Sequence, residues 1–414
     1  GLCRAACTRG GLDRPVPIDR ISRAHHPAGA VRVLEHRKTQ SVAVIGAGPA
    51  GLSAAWHLAR RGYPVAVYER ERDIGGKLTH NIPEQRLPRA EVERDLQRIR
   101  SVDIRFHTGV TVDAALFARL RESNQAVVIA VGATRPRRLE FPGEERAVTS
   151  FAFLRALKSG SAHGDLEGKK VVIIGAGNVA MDAACECHRL GAASVTALDV
   201  QRPAAAGAEL ERAMALGTRV LFPRFVHRYQ DNQLFLMNGE RLQADLLIES
   251  VGETPELEFA GESVIFRSGS SFTNLPGVYI AGDASAPGLL THSIAAGRKA
   301  ALAIHRRLQG LPPEEELSLE VERTRVVDKR RVNQVYFQHK DPFFTDLDAC
   351  MSCGTCIQCD ICVEACPRGA LKRAGDSFRV DEGLCSGCGV CAAVCPRGAV
   401  LMQEVAAAGA GAEG

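Results

Sequence analysis

Ten of the fourteen cysteines fall between Cys350 and Cys395, and eight of them form two runs of one spacing. Cys356-x2-Cys359-x2-Cys362-x3-Cys366-Pro367 returns as Cys385-x2-Cys388-x2-Cys391-x3-Cys395-Pro396. Thiolates are soft, charged donors suited to iron, and this spacing is that of 4Fe–4S ligation. A zinc ribbon needs only four thiolates in two Cys-x2-Cys pairs, half of what is present. The first 30 residues lack the apolar core of an export signal, so metal ligation is expected in preference to disulfides. Cys350 and Cys353 continue the first run upstream at the same interval and are read as flanking thiols.

Two glycine turns carry the other chemistry. In Gly46-Ala47-Gly48-Pro49-Ala50-Gly51 the first glycine permits a tight turn, the second lets the backbone approach a pyrophosphate, and the third allows a helix to pack closely on a sheet. Glu69 stands about 20 residues on, at the end of the next strand, where a carboxylate accepts hydrogen bonds from ribose hydroxyls. Gly175-Ala176-Gly177-Asn178-Val179-Ala180 repeats the turn with alanine in the third glycine's place. Counting from each first glycine, and allowing one inserted residue, Asp199 falls where Glu69 falls. An acid there hydrogen-bonds a free ribose and repels a 2′-phosphate, which favours NAD(H). Arg202 is the neighbour that would accommodate NADP(H), and a plain solvated charge is the other reading of Asp199. Cys185 and Cys187 lie two apart on the following helix, on different faces, and are read as structural thiols. The sequence has no Ser-His-Asp or metal-hydrolase motif, and His292 stands alone as a packing or hydrogen-bonding residue.

Such turns need strands to launch them and helices to receive them. Residues 41–46 are a buried-strand pattern, Leu52 to Arg61 is apolar with helical period, and Val65 to Tyr68 is a second strand. Lys170 to Ile174, Val179 to Leu190 and Val195 to Leu198 repeat this β-α-β order. Val278-Tyr279-Ile280-Ala281 is a later strand, followed by Gly282-Asp283 and a helix predicted from Ser293 to Leu308. Hydrophobic residues at 45% and charged residues at 24% describe a globular chain, and 414 residues allow several domains. A net charge of +4 with scattered arginines argues against nucleic-acid binding. No apolar run approaches 18 residues, so no membrane insertion is expected and a cytoplasmic location is.

Gly75-Gly76-Lys77-Leu78, Ile82-Pro83 and Arg86-Leu87-Pro88 follow the first unit, with Ala130-Val131-Gly132, Pro142-Gly143 and Ala281-Gly282-Asp283 further on. In this order residues 1–310 resemble the glutamate synthase small-subunit family, which includes the N-terminal half of dihydropyrimidine dehydrogenase. The resemblance implies FAD on Gly46, Gly48, Pro49, Ala50, Gly51, Glu69, Gly76, Leu78, Arg86, Val110, Gly132 and Gly282. It implies Asp283 on the ribityl chain and Leu290 and Thr291 near the flavin ring. It further implies a nicotinamide dinucleotide on Gly175, Ala176, Gly177, Asn178, Val179, Asp199, Val251 and Gly252. Family members using NADPH carry an aromatic residue and adjacent basic residues where this chain has Asp199-Val200-Gln201-Arg202, a departure that again favours NAD(H). The cysteine runs resemble two-cluster bacterial ferredoxins, whose fourth cysteine serves the other cluster. Carried over, Cys356, Cys359, Cys362 and Cys395 hold one 4Fe–4S cluster, and Cys385, Cys388, Cys391 and Cys366 hold the second. Cys3 and Cys7, ahead of Pro15-Val16-Pro17-Ile18, resemble the end of the family's N-terminal helical iron–sulfur domain, and an upstream segment is expected.

The expected fold class is α/β: two Rossmann-like dinucleotide-binding domains, for FAD and NAD, followed by a small α+β two-cluster ferredoxin-like domain. The expected divisions are a remnant of the helical iron–sulfur domain (1–37), the FAD domain in two parts (38–160 and 269–310), the NAD(P) domain (161–268), a linker (311–345), the ferredoxin domain (346–404) and a disordered tail (405–414). The expected activity is that of an FAD-dependent NAD(P)H:ferredoxin or acceptor oxidoreductase subunit, passing electrons between NAD(H) and the clusters with no catalytic side chain beyond the flavin itself. Its partners would be catalytic or iron–sulfur subunits of a hetero-oligomeric complex, such as a tungsten or molybdenum aldehyde oxidoreductase, a CoA-ester reductase or a 2-oxoacid oxidoreductase. The alternatives are a glutamate synthase small subunit using NADPH, against which the C-terminal cysteine domain counts, and an electron-wire scaffold that does not turn over NAD.

Overall fold

The computed structural model describes residues 36–161, 166–205, 207–261 and 264–311, then 346–349, 360–374, 377–381, 383–385, 388–394 and 400–403. The readings made on Cys3, Cys7, Cys350, Cys353, Cys356, Cys359 and Cys395, on the linker and on the tail lie outside these residues. Two compact units result, one spanning Ala30–Leu317 and one holding the cysteine runs.

In the large unit the chain runs through β1 (Val42–Ile45), α1 (Pro49–Ala59), β2 (Val65–Glu69), α2 (Lys77–His80), α3 (Arg89–Arg100), β3 (Ile104–Thr108), α4 (Ala114–Ser123), β4 (Ala126–Ile129) and β5 (Arg135–Pro136). It continues with β6 (Val148–Thr149), α5 (Ser150–Lys158), β7 (Lys170–Ile174), α6 (Asn178–Arg189), β8 (Ser194–Leu198), α7 (Gly207–Ala215) and β9 (Arg219–Leu221). Then come β10 (Val226–Gln230), β11 (Gln233–Leu236), β12 (Arg241–Gln243), β13 (Leu246–Glu249), β14 (Glu253–Thr254), β15 (Val278–Ile280) and α8 (Leu290–Leu308).

Among the described residues two parallel sheets share one order, β3-β2-β1-β4-β15 and β9-β8-β7-β13-β6. β1 and β4 are buried at every residue, which is why they read as unbroken apolar runs: helices cover both faces of a parallel sheet. In each sheet the strand order reverses beside the strand that launches the glycine turn, the place where α/β sheets bind nucleotides. The chain crosses from the first sheet to the second through β5 and returns through β14, and the two crossings pair antiparallel. α8 comes back to cover α1, approaching so closely that a Cβ on Gly297 would stand 2.0 Å from the Ala50 carbonyl oxygen.

Two features depart from the sequence expectation. The last helix begins at Leu290 instead of Ser293, because Leu289 is extended and donates its N–H to His292 Nδ1 at 3.3 Å, building a polar first turn that apolar periodicity does not register. The hairpin sheet β10-β11-β12 is an insertion before β13, turned at Asp231 and Asn232 with φ of 50° and 56°.

In the cysteine-rich unit β16 (Asp346–Ala349) pairs antiparallel with β19 (Val400–Gln403), and β17 (Leu371–Ala374) with β18 (Ser377–Val380). Two short helices, α9 (Ile361–Glu364) and α10 (Val390–Val394), carry Cys362 and Cys391 into a core with Leu371, Val390 and Val400. The α/β class with a small α+β C-terminal unit is the one expected. Among the described residues, no helix is long and apolar enough to cross a membrane.

Candidate functional site

The two glycine turns are built alike. Gly46 has φ +100°, and a Cβ on it would stand 2.4 Å from the Ala130 carbonyl oxygen; Gly175 has φ +110° and would meet the Ser250 carbonyl oxygen at 2.2 Å. A side chain is excluded at both by conformation and by space. Gly51 lets α1 start directly beneath the first turn, since a Cβ there would lie 1.9 Å from the Gly46 carbonyl oxygen. Gly48 and Gly177 differ, for nothing lies within 4 Å of a Cβ built on either. Each precedes a helix with no side-chain cap, so the positive end of the helix dipole faces open space beside a bare backbone. That cradle fits a pyrophosphate in both units.

The acids at the ends of the second strands are also equivalent. Glu69, only 7% exposed, accepts the Ala47 N–H through Oε2 at 2.6 Å and the Glu71 N–H through Oε1 at 2.9 Å. Asp199 accepts the Ala176 N–H through Oδ2 at 2.9 Å and the Gln201 N–H through Oδ1 at 3.1 Å. The registers Ile45↔Tyr68 and Ile174↔Leu198 set both acids one step past the paired strands, so the inserted residue is absorbed before β8. Each carboxylate is held rigidly by its own turn and retains lone pairs for ribose hydroxyls.

A cavity of about 220 Å³ is walled by Gly46, Gly48, Pro49, Ala50 and Gly76 from the first half and by Asn178, Val179 and Asp182 of α6 from the second. Glu69, Arg86, Gly132, Asp283 and Leu290 also face it. Past Gly46 and Glu69 lies a second space of about 360 Å³, bounded by Tyr68, Val110, Thr134 and Phe259. Asp283 is clamped in the wall: Ser293 Oγ donates to its Oδ1 at 3.0 Å, and Lys77 Nζ donates to its Oδ2 at 3.1 Å while lying 3.7 Å from Glu253. Sequence reasoning gave no site role to Lys77, although it lies in the Gly75-Gly76-Lys77-Leu78 motif, or to Glu253 and Ser293; they meet only because α2, β14 and α8 converge.

Other expected residues lie apart from the cavity. Leu78 packs into the core of the first sheet, and Thr291 is exposed on the first turn of α8. Gly282 packs under Ala50, and Val251 packs against the core beside β13. Gly252, at φ +95°, sits where the chain leaves β13 for β14. Arg86 does line the cavity, but its guanidinium is committed across the unit: it donates to Asp182 Oδ2 and lies 3.0 Å from Glu209 Oε1. Burial pushes the Asp182 carboxyl above its ordinary range, and Arg86 opposes that shift. Arg86 therefore ties the first nucleotide unit to α6 and α7 of the second. Cys187 is fully buried and its thiol is pushed up to about 12 by desolvation, in keeping with a structural thiol.

In the cysteine-rich unit, Cys366 of the first run lines one small pocket together with Cys385, Cys388 and Cys391 of the second. Burial and the neighbouring sulfurs push the Cys391 thiol up. The Ala370 N–H donates to Cys366 Sγ at 3.3 Å. Four cysteine sulfurs, one of them already hydrogen-bonded, are the donor type that an iron–sulfur cluster takes, while among the described residues no three His, Cys, Asp or Glu side chains are arranged to hold a single metal ion.

Two Rossmann-like sheets, with one glycine turn and the start of the helix after the other walling one cavity, define a two-dinucleotide oxidoreductase. The chain belongs to the pyridine nucleotide-disulphide oxidoreductase family, whose model matches residues 40–299, and a 4Fe-4S dicluster domain matches residues 355–399. It is 32% identical to the glutamate synthase (NADPH) small chain of Mycobacterium tuberculosis, covering 74% of this chain and 76% of that protein. It is 30% identical to the NAD-dependent dihydropyrimidine dehydrogenase subunit PreT of Escherichia coli, covering 75% of this chain and 79% of that protein. Among solved structures it shares the fold of Mycobacterium tuberculosis FprA in complex with NADPH (TM-score 0.56, 16% identity, 66% of this chain and 85% of that one). It also shares that of Lactococcus lactis thioredoxin reductase (TM-score 0.52, 20% identity, 66% and 100%). The protein is thus an FAD/NAD(P) oxidoreductase with an iron–sulfur domain, as its sequence led us to expect.

Proposed function

We propose that the protein is an electron-transfer subunit that passes electrons between NAD(H) and two 4Fe–4S clusters by way of FAD, within a larger oxidoreductase complex. The observation that carries this reading is the shared cavity, walled by Gly48 of one glycine turn and by Asn178 and Val179 beyond the other. Dinucleotides held on the two turns would bring their reactive rings into that space. FAD, when bound, takes two electrons as hydride and releases them singly, which suits a step between a nicotinamide and one-electron clusters.

The chain's own residues position and insulate. Glu69 and Asp199 orient the two riboses, the two helix N-termini hold the pyrophosphates, and the Lys77–Asp283–Ser293 clamp fixes the wall between them. Asp199 supports NAD(H) over NADP(H), because a carboxylate locked at 2.9 Å to the Ala176 N–H cannot swing away from a 2′-phosphate. The pocket joining Cys366 to Cys385, Cys388 and Cys391 supports the crossed ligand sets, with Cys356, Cys359, Cys362 and Cys395 for the other cluster. The names of the relatives, a small chain and a subunit, support a hetero-oligomeric assembly.

The test is an anaerobic stopped-flow experiment with NADH and NADPH in turn, following flavin and cluster absorbance together. Rapid flavin bleaching by NADH, then cluster reduction, is expected. Preference for NADPH would favour the glutamate synthase small-chain reading, and bleaching by neither would leave a scaffold.

A further inference from the structure

Among the described residues three buried side-chain polar atoms lack a hydrogen-bond partner, and His80 Nε2 is the one whose residue lies on the wall of the shared cavity. Native structures leave few such atoms, and each one asks for a reason. The segment carrying it cannot shift to find a partner. On one side the Gly75 N–H donates to the Ala47 carbonyl at 2.8 Å, and Gly76 is packed so that a Cβ would lie 2.9 Å from Gly48 Cα. On the other side Asn81 Nδ2 donates to the Phe151 carbonyl at 3.0 Å and Lys158 Nζ to the Ile82 carbonyl at 3.1 Å. Its charged neighbours on the wall are already engaged: Lys77 with Asp283 and Glu253, Arg155 with Glu71 at 2.7 Å, and Arg86 with Asp182.

We infer that His80 donates a hydrogen bond from Nε2 to the polar edge of the bound isoalloxazine ring and thereby raises the flavin's reduction potential. The inference rests on the FAD reading above. Lys77 and His80 are three apart on α2 and so share a face, and Lys77 is the residue bonded to Asp283. His80 lines the same cavity as Gly48, Asp283, Leu290 and α6, and it does not bound the second space beyond Glu69. A reduced flavin ring carries added negative charge, and a hydrogen bond to a charged acceptor is roughly twice as strong as one to a neutral acceptor. A donor at this edge therefore favours the reduced state.

The experiment compares FAD content, the visible flavin spectrum and the reduction potential of the full-length holoprotein in wild type, H80L and H80Q. Glutamine keeps an N–H donor near the position of Nε2. We expect H80L to shift the oxidised-to-reduced equilibrium about tenfold towards oxidised, about 30 mV for a two-electron couple, and to displace the flavin band, with H80Q recovering most of both. Should H80L not retain FAD, a folded H80Q that holds FAD near the wild-type potential gives the same support. H80L at the wild-type potential and spectrum overturns the inference. So does an H80Q variant displaced as far as H80L, or an H80L variant whose only loss is NADH affinity. Wild-type protein that binds no FAD would instead refute the functional reading itself.

Discussion

Removing the Arg86 guanidinium exposes how the two nucleotide units are held together. Its side chain is 27% exposed and Asp182's is 10%, and both Asp182 and Glu209 turn towards it. In Arg86→Ala the carboxylates of Asp182 and Glu209 would lose the cation that both contact, leaving Asp182 only the longer-range influence of Arg212. Taking one partner from a buried ion pair costs about 3–5 kcal/mol, and the partial exposure of Arg86 puts this pair near 3, roughly a hundredfold in the folding equilibrium. The pH dependence has a defined sign. Burial already holds the Asp182 carboxyl above its ordinary range, and loss of Arg86 removes the larger opposing influence and leaves only Arg212, so its folded-state pKa rises further. The folded protein then binds more protons than the unfolded chain between the ordinary carboxylate value, about 4, and the raised one, and stability falls as pH climbs through that window. The deficit of the variant should therefore be full at pH 8 and smaller at pH 5. Urea unfolding followed by circular dichroism at both pH values measures it, and the double variant R86A/D182N should regain most of the loss. An equal deficit at the two pH values, or no rescue by D182N, would refute the argument.

Gly51→Ala would force α1 away from the first turn, because its Cβ starts 1.9 Å from the Gly46 carbonyl oxygen; purified protein should carry far less FAD than wild type, measured by flavin released on denaturation. Asp199→Ala removes an acceptor that two backbone N–H groups hold in place, and NADH affinity should fall about tenfold or more with little change for NADPH, by titration under anaerobic conditions. Cys366→Ser should remove the cluster served by Cys385, Cys388 and Cys391, dropping iron from about eight to about four atoms per chain. Cys187, with a thiol at about 12, should resist alkylation at pH 8 in the folded protein and react on unfolding, read by mass spectrometry of the modified peptide.

What the sequence determined by itself was local. A glycine that must take φ +100° under a carbonyl, an unbroken apolar strand and an acid at a strand end are each demanded by contacts within a β-α-β unit, so residue type and spacing display them. The cysteine runs are legible for a similar reason, since each sets four cysteines at one fixed spacing within a short stretch of chain. The same locality explains the errors. The helix that starts at Leu290 opens with a polar turn closed by His292, so its first residues and the exposed Thr291 escaped an apolar period. Tertiary structure alone decided which distant groups meet. Arg86 and Asp182 are 96 residues apart, Lys77 and Asp283 are 206 apart, and the out-and-back crossing at β5 and β14 brings Glu253 beside them. Periodicity carries no information on such pairs, because each is set by how segments distant in sequence pack together and not by anything along the chain between them. His80 belongs with them: an imidazole between Thr79 and Asn81 looks unremarked in sequence, and only burial of its Nε2 on the cavity wall without a partner makes it a residue awaiting a ligand.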